Sequence, residues 1–85
     1  MNYSVEWVPV ALNLLAALWA GAPDRAAVTA AANAIDDRLQ RDPYAQSESR
    51  TGSRRVTFEA PLGVLFEVDD ANYHVTVLLV WRFQS

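Results

Sequence analysis

Three runs in the second half of the chain alternate apolar and polar residues with the period of two that a half-buried strand requires, and turn signals separate them. Residues 54–59 set Val56 and Phe58 on one side and Arg55, Thr57 and Glu59 on the other. After Ala60-Pro61, the residues Val64, Phe66 and Val68 define one face of the next run. Asp69-Asp70-Ala71-Asn72 has the composition of a hairpin turn. The last run opposes Val75, Val77, Leu79 and Trp81 to His74, Thr76, Leu78, Val80 and Arg82. Strands joined so closely pair as an antiparallel meander, and the first half of the chain must then cover one of its faces.

That first half supplies one more strand and two helices. Tyr3, Val5 and Trp7 alternate with Ser4 and Glu6. Pro9 suits the first turn of a helix, where its missing N–H costs nothing. Leu12, Leu15, Leu18 and Trp19 follow at helical spacing until Gly21 and Pro23 stop the run. Asp24 is placed to cap a second helix, whose stripe is Val28, Ala31, Ala32, Ile35 and Leu39 and which ends at Asp42-Pro43. Its alanines allow close approach, so the two helices form an αα-hairpin. Residues 43–53 are polar and rich in turn formers, the pattern of one long loop. The expected fold is α+β, in the order β-α-α-β-β-β: a mostly antiparallel four-stranded sheet with a helical hairpin on one face, as a single domain over residues 1–85. Hydrophobic parity predicts Val56, Phe58, Val64, Phe66, Val77, Leu79 and Trp81 beneath the helices. Glu6, Arg55, Thr57, Glu67 and Arg82 then share the uncovered face, and periodicity makes Trp7, Trp19 and Trp81 core residues.

Composition narrows the chemistry. The 85 residues contain no cysteine and one histidine, so a disulfide framework, a thiolate metal site and a histidine-rich zinc site are all excluded. Asp36 and Asp37 diverge by about 100° on a helix, and Asp69-Asp70 falls in a turn, so neither pair forms a metal cage. Gly21, Gly52 and Gly63 are isolated and make no phosphate-cradling loop. The expectation is no metal and no cofactor. Residues 8–21 are apolar but too short to span a bilayer, and no basic run precedes them as in a secretory signal. A cytoplasmic protein with no membrane partner is expected. A net charge of −3 and a pI of about 4.8 argue against non-specific nucleic-acid binding. Even so, all seven basic residues are arginine, whose planar fork suits phosphate. On the uncovered face, Arg55 and Arg82 beside Glu67 read either as a phosphate site or as exposed ion pairs worth about 0–1 kcal/mol each. Arg50 and Arg54 lie in or beside the long loop.

Several stretches together carry a resemblance. They are Tyr3-x-Val5-x-Trp7 running into a helix, a second helix ending at Asp42-Pro43, the basic pair Arg54-Arg55, the strand and turn Val64-Leu65-Phe66-Glu67-Val68-Asp69-Asp70, and the closing run 75–82. Over nearly its whole length the chain resembles the RelE/ParE superfamily of bacterial type II toxins. The resemblance implies a toxin whose partner is a cognate antitoxin. It also implies one of two targets: the ribosome and its mRNA, cut as by a ribosome-dependent endoribonuclease, or DNA gyrase, inhibited by contact. A catalytically degenerate binding module is the remaining reading. For the nuclease, the resemblance matches Arg54 or Arg55, together with Arg82, to the clamp on the scissile phosphate; by their places on the uncovered face and in the long loop, Glu67 or Glu6 is the candidate base and Arg50 and Arg54 are the candidate RNA contacts. Where the family has the arginine and tyrosine of an R-x-x-Y pattern, this chain has Gly63 and Phe66.

Overall fold

The computed structural model describes residues 2–83. Strand β1 (Ser4–Trp7) leads into helix α1 (Pro9–Gly21), and α2 (Arg25–Arg41) follows after a short turn. The strands β2 (Ser47–Ser49), β3 (Arg54–Glu59), β4 (Leu62–Asp69) and β5 (His74–Arg82) complete the chain. They form one sheet in the order β1-β5-β4-β3-β2, in which β1 runs parallel to β5 and the other pairings are antiparallel. The α+β fold is the expected one, with a fifth, three-residue edge strand inside the segment read as a loop. Among the described residues no helix is long and apolar enough to cross a membrane.

The core lies between the helices and one sheet face. Val28, Ala31, Ile35 and Leu39 of α2 and Ala11 of α1 pack on Leu62, Val64 and Phe66 of β4 and Val75, Val77 and Val80 of β5. The α2 stripe is the one that the period of 3.6 dictates. Helix α1 differs from expectation: Ala11, Leu15 and Leu18 face inward, whereas Leu12 and Trp19 are about half exposed. Its last carbonyls are satisfied from α2, because Arg25 Nε donates to the Trp19 carbonyl at 3.1 Å and Nη2 to that of Ala20 at 2.8 Å. That contact supplies the acceptor ends of a helix with hydrogen bonds they cannot make within it.

Two features overturn the predicted sharing of faces. In β3, Arg55, Thr57 and Glu59 pair with Phe66, Val64 and Leu62, and therefore lie on the helix side; Val56 and Phe58 oppose Leu65 and Gly63 on the open side. Polar residues are tolerated under the helices because α2 brings them a partner. Arg38 donates from Nη1 to Thr57 Oγ1 at 2.9 Å and from Nη2 to Glu59, and Thr57 donates onward to the Gln46 carbonyl at 2.8 Å. Thr57 is fully buried, and every hydrogen-bonding group of its side chain is used, as burial demands. In β5 the register slips between Leu65 and Phe66, which pair with Leu79 and Val77 and leave Leu78 as the extra residue of a bulge. Beyond it the sides exchange. Val80 and Arg82 face the helices, and Leu79 and Trp81 face outward. Trp81 and Trp19 are thus not core residues, while Trp7 packs partly buried against the core as expected.

Candidate functional site

The open face consists of three rows that cross the strands. Arg54, Glu67, Thr76 and Glu6 are register partners in the first, Val56, Leu65 and Leu79 in the second, and Phe58, Gly63 and Trp81 in the third. The first row is polar and internally paired. Arg54 Nε donates to Glu67 Oε1 at 3.0 Å, and Glu6 Oε1 lies 3.3 Å from His74 Nε2 at the neighbouring end of the sheet. Both partners of the Arg54–Glu67 pair are about half exposed, so the pair contributes about 0–1 kcal/mol and neutralises the cation.

The third row is aromatic. The Trp81 indole lies over Gly63 so closely that a Cβ built there would meet Cε2 at 2.7 Å. Phe58 meets Trp81 edge-on with centroids 6.1 Å apart and Phe83 at 5.2 Å, the arrangement that ring quadrupoles favour. Phe58 and Leu79 are 44% and 42% exposed. A contiguous apolar patch on an exposed sheet is the mark of a contact surface.

The candidate residues therefore do not converge on one point. Arg54 and Glu67 share the open face. Arg55 and Arg82 lie on the helix side, paired in register with opposite ends of the β4 core row, Phe66 and Leu62. Arg82 makes a two-pronged contact with Asp24, Nη1 to Oδ1 and Nη2 to Oδ2 both at 2.9 Å. That contact holds the Asp24 carboxyl below its ordinary value, and Asp24 stands at the start of α2 without capping it. Arg50 sits in the β2–β3 hairpin, exposed, 3.4 Å from Glu48.

Arg55 belongs to a cluster that the sequence did not reveal. Asp70, in the β4–β5 turn, accepts from Tyr44 Oη at 2.6 Å and from Tyr3 Oη at 2.8 Å. Tyr73 packs edge-on against Tyr3, and the Arg55 guanidinium lies 5.0 Å from the Tyr44 ring centroid. The phenol donors hold Asp70 below the usual carboxylate value, and the same bond pushes Tyr3 up to about 12 and raises Tyr44. The Tyr3–Asp70 and Tyr44–Asp70 contacts span 67 and 26 positions, which no local sequence signal bridges. Among the described residues no group of three or more metal-ligating side chains converges.

Among the described residues the two helices cover one face of the five-stranded sheet and no helix covers the other. The chain has the fold of RelE toxins. It superposes on the toxin in the crystal structure of the RelBE2 toxin–antitoxin complex from Mycobacterium tuberculosis with a TM-score of 0.79 and 20% identity, over 98% of this chain and 100% of that one. The intact E. coli RelBE toxin–antitoxin complex gives a TM-score of 0.67 and 14% identity, over 98% and 99% of the two chains. No protein-family model matches the sequence, and no curated protein matches it.

Proposed function

We propose that the chain is the toxin of a type II toxin–antitoxin pair, held by a cognate antitoxin. The observation that carries the proposal is the fold shared, end to end, with toxins that crystallised in such complexes. The surface supports a protein partner. Helix α1 contains no charged residue, Val10 and Leu12 on it are 57% and 51% exposed, and an apolar groove of about 350 Å³ runs between Leu12, Leu15, Trp19 and Val28. Apolar surface of this kind is stabilised by a covering chain.

Within that class we place action by protein contact, as in gyrase-inhibiting members, ahead of mRNA cleavage. A phosphate clamp needs uncancelled cations aimed at one point where charge develops. Arg54 is spent on Glu67, and Arg82 on Asp24. Arg55 faces the other way, and the aromatic row offers a docking surface instead. Induced expression without an antitoxin should arrest growth while mRNA stays intact, and purified protein should inhibit gyrase supercoiling. Ribosome-dependent mRNA cutting that Arg54→Ala or Glu67→Gln abolishes would restore the nuclease reading. Normal growth at confirmed soluble expression would leave a binding module without toxicity.

A further inference from the structure

Arg55 stands apart from other arginines of the sheet and of the segments packed beside it. Arg38, Arg50, Arg54 and Arg82 each meet a carboxylate; among the described residues Arg55 meets none. Neutral groups hold it instead. Its Nε donates to Ser47 Oγ at 2.8 Å and Nη2 to the Ser47 carbonyl at 3.0 Å, with the Tyr44 ring beneath. These contacts fix the plane of the guanidinium without cancelling its charge, and Nη1 keeps its donors for a ligand.

The cation borders a cavity of about 260 Å³ that Tyr44, Gly52, Ser53, Val68 and Asp70 complete. Gly52 has a φ of +63° and nothing within 4 Å of the place a Cβ would take, so the β2–β3 loop turns tightly beside an open space. Ser53 adds a hydroxyl. The Asp70 carboxylate lines the same cavity, fixed by two phenols yet with lone pairs to spare. The cavity thus offers one fixed cation and one fixed anion that do not pair with each other. A bare phosphate would satisfy the first and be repelled by the second. A phosphate with a neighbouring hydroxyl satisfies both, because a carboxylate accepts readily from a sugar hydroxyl. Drug-sized pockets start at about 300 Å³, so the volume suits a sugar phosphate and leaves a base outside.

We propose that this cavity is a sugar-phosphate site, in which Arg55 and Ser53 take the phosphate and Asp70 accepts from a sugar hydroxyl. It lies on the helix side of the sheet, apart from the open face, and does not depend on the protein being a toxin.

The test is a titration of the isotopically labelled full chain with ribose 5-phosphate, inorganic phosphate and ribose, followed through backbone amide resonances. Saturable shifts at Gly52, Ser53 and Val68 are expected for ribose 5-phosphate, with inorganic phosphate and ribose each binding more weakly. Arg55→Gln retains a donor for Ser47 and should weaken binding about ten- to a hundred-fold, the loss of one charged hydrogen bond. Asp70→Asn should remove the preference for ribose 5-phosphate over inorganic phosphate. If Arg55→Gln proves unfolded, Ser53→Ala, on an exposed loop, should still weaken binding. 5′-AMP separates a free sugar phosphate from a nucleotide: equal affinity is expected, and markedly tighter binding would overturn the assignment to the sugar phosphate. The proposal is also overturned by the absence of saturable shifts, by shifts centred on Arg54 and Glu67, or by full affinity in folded Arg55→Gln.

Discussion

Gly63 shows how one small residue determines what a sheet face can hold. Its missing side chain leaves the space that the Trp81 ring fills, with Cε2, Cζ2 and Nε1 all within 2.8 Å of where a Cβ would stand. A longer side chain at this position would have to evict the indole. The glycine and the tryptophan are therefore one feature of this face. Gly63→Ala should destabilise the protein by about 1–3 kcal/mol, the usual cost of overpacking a filled site. In a Trp81→Leu background the same substitution should cost markedly less, since contacting residues couple. Urea unfolding of the four proteins measures both numbers. Equal costs in the two backgrounds would mean that the indole moves aside freely and that the close approach is incidental.

At the scale of elements, β3 and β5 divide what was legible in the sequence from what was not. The helices, the three long strands and the α2 stripe followed from periodicity. The side on which β3 presents Val56 did not, although the tight turn at Ala60-Pro61 contains the answer. A two-residue connection makes Glu59 and Leu62 partners, and counting back puts Val56 opposite Leu65 and Thr57 opposite Val64. Hydrophobicity pointed the other way because the open face is itself apolar. The bulge at Leu78 left no trace, since Val77-Leu78-Leu79-Val80 is apolar throughout and either parity fits. With β3 turned over, its polar side depends on Arg38. Arg38→Met should cost about 1–3 kcal/mol by removing the donor to buried Thr57. Arg54→Ala, which breaks only an exposed pair, should change stability by about 0–1 kcal/mol. Chemical denaturation of the two variants compares them directly, and a larger loss for Arg54→Ala would refute this assignment of roles.

Across the whole molecule, the Tyr3–Asp70–Tyr44 contact joins the N-terminal strand, the segment after α2 and the β4–β5 turn, and it makes stability depend on pH at both extremes. Hydrogen bonds from Tyr44 and then Tyr3 lower the Asp70 pKa from its ordinary 3.8, and Arg82 lowers that of Asp24. A carboxylate depressed in the folded state contributes fully above its ordinary value, and that contribution is lost as the pH falls through the lower folded value. The tyrosines behave in the opposite sense. The bond to Asp70, followed by burial, raises Tyr3 from 10.0 to about 12, and Tyr44 moves in the same direction. Their contribution is complete below 10.0 and disappears as the pH climbs through the raised values. The chain has no lysine and no cysteine, and the alkaline limb is assigned to Tyr3 and Tyr44. The urea midpoint should be level between the two limbs and fall beyond each. Asp70→Asn should largely abolish the alkaline fall, because a neutral amide neither repels a phenolate nor binds the phenol as strongly. It should leave part of the acid fall, which Asp24 still supplies. Tyrosinate absorbance gives an independent reading: Tyr3 and Tyr44 should titrate late in the parent chain and return toward 10.0 in the variant. An alkaline limb that persists unchanged in Asp70→Asn would show that the two phenols are held by something other than this carboxylate.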